Sequence, residues 1–392
     1  MEGLVLEEKD AGDWANRGEG ACNLVLAYTG SSSSFVGKVM RVQKVPRVGS
    51  PGSWSPTVLS KNERFSDLGW DRIWPMRVLV SREFLELIEK NVLCERPAWR
   101  VDAAKVDTDC DSALLMSDHS LFPGTLKGVP CIFVEIKPKC GFLPCSRFIS
   151  EANADKRIIS RFRMHQTLKL HQGEISELSE YNPLNLFSKS EDKIHKAINY
   201  LFTTPQNNFR VFLNGSLIYG GWGGGADSTN IVTSEAFEDA LKPVISADSG
   251  LRTKNFRQLV SETVCKSGIL DQLLKSCPVC GELGEEEVSH RYTSLHFIPM
   301  DESLKIVKDY LVAATSKDCS LMISFRPRVD GDMGSPYNEA SFIDLDLKPS
   351  KKMGEYYELD KKIVSCYTKM VDTEQEADEA TSMEAYIMVQ ST

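Results

Sequence analysis

Four apolar residues, Ile132, Phe133, Val134 and Ile136, flank one acid, Glu135, and the run halts at Pro138. Proline cannot donate to a central ladder, so the pattern predicts a buried strand that breaks into a loop, with Lys137 and Lys139 at the break. Residues two apart share a face of a strand, which starts Glu135, Lys137 and Lys139 on one side. Residues 23–28 and 35–42 read as two further strands joined by a Gly/Ser turn. Apolar runs at 113–116, 321–325 and 342–347 add three more, the last carrying Asp344 and Asp346 on one face. Helical spacing marks 82–90, 158–170 and 301–314. Residues 45–56 are rich in Pro, Gly and Ser and predict a loop, and the whole stretch 45–81 is irregular. Residues 371–392 predict a disordered acidic tail.

The chain has 392 residues, enough for a buried core and for two lobes. Hydrophobic residues at 42% and charged residues at 26% give an ordinary globular balance. A net charge of −9 supplies no global basic field, so neither nucleic acid nor an anionic membrane is an expected partner, and an anionic ligand needs a local basic pocket. No secretory start and no run approaching a membrane span are visible. Eleven cysteines without framework spacing predict reduced thiols in the cytosol or nucleus.

Several segments carry candidate chemistry. Arg17-Gly18-Glu19-Gly20-Ala21-Cys22-Asn23 offers backbone amides to phosphate oxygens, or is an ordinary hairpin turn. The order strand, glycine turn, strand, strand with a cation mirrors the nucleotide lobe of protein kinases. Arg41 on the second of these strands offers two N–H donors to nucleotide phosphates, or is an exposed strand arginine. Asn207 and Asn208 present neutral donors before a strand, and Arg210 a charged one. Asp318 precedes an apolar strand and is a candidate general base, or a loop acid. Asp344 sits among apolar neighbours, where a carboxylate needs an ion pair or a metal, which makes it a candidate magnesium ligand. Lys348 and Lys352 again lie where a proline breaks a strand. Cys277-Pro278-Val279-Cys280 is half of a structural zinc site, with His290 and His296 downstream.

The segment Glu135-Ile136-Lys137-Pro138-Lys139-Cys140-Gly141 resembles the E-x-K-P-K signature of inositol-pentakisphosphate 2-kinases in a plant-like form. The resemblance runs from Leu6 to about Tyr367, with a gap near 45–78 and a shortened stretch before Cys277. It implies a two-lobed kinase-like α+β fold. The small nucleotide lobe (1–116) has an antiparallel sheet; the larger α/β lobe (117–370) binds the inositol phosphate. It implies nucleotide contacts at Gly20, Ala21, Cys22, Asn23, Arg41, Ser117, Asp118, His119, Glu135, Ile136, Lys137, Arg210, Asp318 and Asp344, the 117–119 stretch being the hinge beside adenine. Substrate contacts are implied at Arg100, Lys137, Lys139, Lys169, Asn207, Asn208, Lys348, Lys352 and Tyr356. Lys352 stands where plant relatives have arginine, so one bidentate contact is lost.

The implied activity is ATP-dependent, magnesium-assisted phosphorylation of the 2-hydroxyl of inositol 1,3,4,5,6-pentakisphosphate to the hexakisphosphate, by a monomer. A family zinc is implied at Cys277, Cys280 and His296. The family's upstream histidine is missing here, which leaves the fourth ligand open. Two alternatives stand beside this activity: a sensor that binds the same ligands without turnover, and a zinc-stabilised interaction scaffold.

Overall fold

The computed structural model describes residues 5–20, 22–47, 76–119, 129–139, 141–144, 149–221, 234–276, 299–326, 337–345, 348 and 350–390. Two sheets organise them, each over its own core, and the class is α+β.

The N-terminal sheet comprises β1 (Val5–Leu6), β2 (Trp14–Glu19), β3 (Asn23–Tyr28), β4 (Lys38–Pro46), β5 (Met76–Val80), β6 (Ala104–Val106) and β7 (Ser112–Ser117). Their order is β1-β5-β7-β4-β3-β2, with β6 on β4; β1 and β5 are parallel and the remaining pairs antiparallel. Alternation along β4 sends Met40 and Val42 into the core beside Leu24 and Leu26, and leaves Arg41 on the opposite face. Helix α1 (Arg82–Val92) closes this core with Phe84, Leu85 and Ile88, and Ser81 caps its start by accepting from the Phe84 amide at 3.1 Å. The short helix α2 (Ala98–Ala103) follows.

The C-terminal sheet runs β10 (Ser216–Tyr219), β9 (Phe209–Leu213), β8 (Ile132–Ile136), β11 (Ser320–Arg326), β12 (Tyr337–Ile343), antiparallel throughout. The strand predicted from the central apolar run is thus the middle strand, and all five of its residues are buried. Ile132, Val134, Ile136, Phe209, Val211, Leu321, Ile323 and Phe325 share a core with residues of helices α5 (Glu191–Thr203) and α7 (Arg252–Ser267), among them Ile198, Leu201, Phe256 and Val260. The other face carries Phe133, Phe212 and Met322, and by the same alternation Glu135, Arg210 and Ser320. Helix α3 (Arg161–His171) packs Met164 and Leu168 on Ile363 and Val364 of the long helix α10 (Met353–Gln390). The remaining helices are α4 (Pro183–Leu186), α6 (Ser234–Leu241), α8 (Ile269–Ser276) and α9 (Met300–Ser316). Among the described residues no helix is long and apolar enough to cross a membrane.

The structure corrects four sequence expectations. The second strand starts at Lys38 rather than 35, because Ser32 accepts from the Phe35 amide and Phe35 from the Lys38 amide, closing turns around Gly37 at φ 74°. The stretch 45–81 is not wholly irregular: Val45 and Pro46 prolong β4, and 76–80 form β5 with Val78 and Val80 inward. Asp344 lies just past β12, not within it, in the left-handed region at φ 61°. Aspartate tolerates that conformation better than most residues, and it ends the ladder. The tail from 372 to 390 is helical, because no glycine or proline interrupts it and Glu, Ala, Met and Gln favour helix.

Gly220, at φ 89°, shows why one loop must be glycine: a Cβ there would collide with the Phe209 carbonyl. Gly220→Ala is expected to lower stability by about 1–3 kcal/mol, from the disfavoured backbone and the collision together. A urea titration checks this.

Candidate active site

The cleft face of the C-terminal sheet collects charge because of its register. Glu135 on β8 lies directly across from Arg210 on β9 and from Met322 on β11. Its carboxylate accepts from Arg210 Nη1 at 3.0 Å and from the Ser320 hydroxyl at 2.8 Å. Burial opposes its charge, but Arg210, Lys137 and Ser320 outweigh burial and hold its pKa below the usual carboxylate range. Arg210 also donates from Nε to the Gly221 carbonyl at 2.8 Å. Glu135 is therefore the anchor of Arg210, and Ile136 is a core residue at the strand's end.

Lys137 continues the ladder by one bond, its amide donating to the Asn208 carbonyl at 2.9 Å. Pro138 then turns the chain and Lys139 takes a left-handed φ of 59°. Burial, together with Lys137, Lys169 and Arg161, pulls the Lys139 pKa down to about 8, against the pull of Asp318. Asp318 follows α9, whose C-terminal turn receives the Asp318 amide at the Thr315 carbonyl. Burial works against its charge, yet Lys348, Lys137 and Lys139 bring its pKa down to about 2. Lys348 Nζ meets its Oδ2 at 2.6 Å, although the Asp318 side chain is 50% exposed. The two lysines of the central motif and the lysine after β12 thus converge on one carboxylate.

Asp344 receives Arg41 Nη2 from the N-terminal sheet at 2.7 Å. Asp318 and Asp344 both act on the buried Cys319 thiol, whose pKa burial and the two acids push up to about 12, and both act on Lys348. No trio of His, Cys, Asp or Glu side chains is grouped among the described residues. A carboxylate such as Asp344 suits magnesium, which is usually held by one or two acids with water and nucleotide phosphates. Cys277, Cys280, His290 and His296 lie outside the described residues, as do Ala21 and Asp346.

The glycine turn is a tight hairpin: the Gly20 amide donates to the Asn23 carbonyl at 2.9 Å, and Cys22 accepts from the Lys44 amide. Arg100 stacks on Trp99, 4.1 Å from the ring centroid, and donates to the Gly20 carbonyl at 3.1 Å. Arg100 thus lies on Trp99 and beside the glycine turn. At the stretch 117–119, the Asp118 amide is engaged by the Gly37 carbonyl at 2.8 Å, and its carboxylate by Arg17 at 3.1 Å. Arg17 also reaches the Gly215 carbonyl in the β9–β10 turn, so it spans from one sheet to the other. Ser117 Oγ accepts from Lys38 at 3.4 Å. Burial, and to a smaller degree Lys38, lowers the pKa of His119 despite Asp118 and Glu339.

Asn208 is 2% exposed and its side-chain oxygen is buried without a hydrogen-bond partner among the described residues, an acceptor that a polyol hydroxyl would satisfy. Asn207 lies beside it, half-buried. Tyr356 and Lys348 act on one another, which puts the start of α10 at the same cleft, one turn beyond Lys352. Lys169 shares the inner face of α3 with Arg161 and His165, and burial with Arg161, Lys169 and Lys139 lowers the His165 pKa to about 3. Arg161 and His165 are absent from the residues expected from sequence. Their spacing with Lys169, four and eight residues along one helix, was a readable signal.

A polyanion binding here must find Lys139 charged. Affinity for inositol hexakisphosphate is expected to hold up to pH 8 and then fall, by at most about tenfold per pH unit for a single linked proton. Calorimetry between pH 7 and 9 checks this, and Lys139→Met should flatten the curve.

Two carboxylates at strand ends, each paired to a cation, Asp318 to Lys348 and Asp344 to Arg41, are the equipment that the class of phosphotransferases uses. The profile of the inositol-pentakisphosphate 2-kinase family matches residues 17–362, and the chain belongs to that family. An Arabidopsis thaliana protein named inositol-pentakisphosphate 2-kinase is 47% identical over 443 residues, covering 96% of this chain and 98% of its own. That alignment is longer than the chain itself, so this chain lacks segments its relative has. A protein of the same name from Oryza sativa subsp. indica is 44% identical, covering 93% and 96%. One from Danio rerio is 26% identical, covering 93% and 95%.

Proposed function

We propose that the protein transfers the γ-phosphoryl group of ATP to the 2-hydroxyl of inositol 1,3,4,5,6-pentakisphosphate, giving inositol hexakisphosphate. The observation that carries the reading is the convergence of Lys137, Lys139 and Lys348 on Asp318, with Arg161 and Lys169 beside Lys139. Such a ring serves a substrate whose phosphates crowd around the reacting hydroxyl. Charge-assisted contacts of about 1.5–3 kcal/mol each add up quickly for such an anion.

Asp318 would orient the attacking hydroxyl and take its proton. With a pKa of about 2 it is ionised throughout the physiological range, and it gains basicity when substrate phosphates draw Lys348 away. Arg41 and Arg210, which lie on different sheets, would meet the nucleotide phosphates when ATP is bound. Magnesium, when bound, neutralises phosphate charge, and Asp344 would hold it once Arg41 turns to the phosphates.

The test incubates the full chain with magnesium, ATP and the pentakisphosphate and separates the products by anion exchange. Hexakisphosphate is the expected product. Binding of both ligands without any product would replace the kinase by a sensor, and indifference to inositol phosphates would leave only a scaffold.

A further inference from the structure

Beneath the glycine turn the N-terminal sheet buries charges that its core does not need. Lys44 points to the core side of β4 and is 2% exposed. Its ammonium contacts Glu19 and donates to the Gly20 carbonyl at 2.9 Å. Glu19 is also gripped by Arg96, Nε to Oε2 and Nη2 to Oε1, both at 2.9 Å. Arg96 Nη1 faces both oxygens of Glu89 at 3.2 Å, and Nη2 donates to the carbonyls of Ala104 at 2.7 Å and Arg100 at 3.3 Å. Burying such a cluster is seldom worth more than packing apolar groups in its place, so its value lies in what it aligns. Here it aligns two things. Through Lys44 it holds the Gly20 carbonyl, the same oxygen that Arg100 reaches at 3.1 Å. Through Arg96 it ties down carbonyls at the end of α2, the helix that carries Arg100.

We propose that Lys44, Glu19 and Arg96 are positioning residues, a buried relay that sets the nucleotide turn in register with the substrate arginine. The inference rests on the proposed kinase reading for the roles of the turn and of Arg100. The relay touches no ligand itself. Lys44 bears directly on the turn, at the Gly20 carbonyl, whereas Arg96 bears on the turn only through Glu19 and directly on the helix that carries Arg100. The two residues therefore make different predictions, which a merely structural cluster would not.

The experiment measures binding of magnesium adenylyl imidodiphosphate and of inositol hexakisphosphate by calorimetry on the full chain, with melting temperatures and pentakisphosphate turnover alongside. Lys44→Met keeps the aliphatic stem and leaves Glu19 held by Arg96. It is expected to weaken the nucleotide analogue roughly tenfold and leave the hexakisphosphate within about twofold. Lys44→Arg should recover the analogue. Arg96→Lys keeps the charge but loses the fork, and is expected to weaken both ligands. Lower melting temperatures with both affinities unchanged would overturn the relay and leave a structural cluster, as would a loss of both ligands to the same degree in Lys44→Met. Wild-type protein that binds both ligands but makes no product would sink the kinase reading while the affinity pattern still decides the relay. Wild-type protein that binds neither would sink both.

Discussion

Asp318→Ala is expected to lower turnover of the pentakisphosphate by about 100-fold to 10,000-fold, the range for removing a positioned base. Affinity for inositol hexakisphosphate should not fall with it. Lys348, now paired to Asp318 at 2.6 Å, would be released to meet phosphate, and a modest gain in affinity is the expected sign. Stability should change little, because the carboxylate is half exposed and its ion pair is screened by water. The sign of its pH dependence follows from the lowered pKa. The folded state favours the charged form, so any stabilisation is present above the ordinary carboxylate range and is lost only as pH falls toward 2. Product formation and calorimetry on the same preparation separate these effects. A parallel loss of binding and turnover would make Asp318 a structural residue.

Glu135→Ala should act in the opposite way, mainly on the fold. It leaves Arg210 on the face of a central strand with its carboxylate partner gone, and the Ser320 hydroxyl without its acceptor. Breaking a buried pair from one side costs about 3–5 kcal/mol, enough to unfold a marginal protein. Glu135→Gln keeps the acceptor oxygen for Ser320 and should lie between wild type and Ala. Chemical denaturation monitored by far-ultraviolet dichroism reads both. If Glu135→Ala leaves the denaturation midpoint unchanged, the buried pair is not what fixes the middle strand.

The middle strand was legible because its apolar run and its proline carry their meaning locally. Lys137 and Lys139 were legible for a related reason: cations at a proline-broken strand end need something anionic, and the structure supplies Asp318. Other features depend on partners that no local pattern shows. Lys44 looks like any strand lysine until Glu19, 25 residues earlier, is folded against it, and Arg96 lies 77 residues from that same acid. Asp344 shows the limit of alternation. The apolar residues at 342–347 continue the strand pattern, but a left-handed backbone at Asp344 ends the strand one residue short of it. The last helix is hard to read because its acidity resembles a disordered tail, while its helix propensity decides the outcome.

The ion pairs of the cleft have a consequence for selectivity by valence. Arg41 rests on Asp344 and Lys348 on Asp318. A monovalent anion that captured one of these cations would strand one carboxylate and gain almost nothing. An anion with many phosphates on one rigid ring would recruit both cations together, and on the proposed reading it would free Asp344 for the metal and Asp318 for the reacting hydroxyl. Chloride and acetate are therefore expected to compete poorly, and the site is expected to select by the number of charges a ligand presents before it selects by shape.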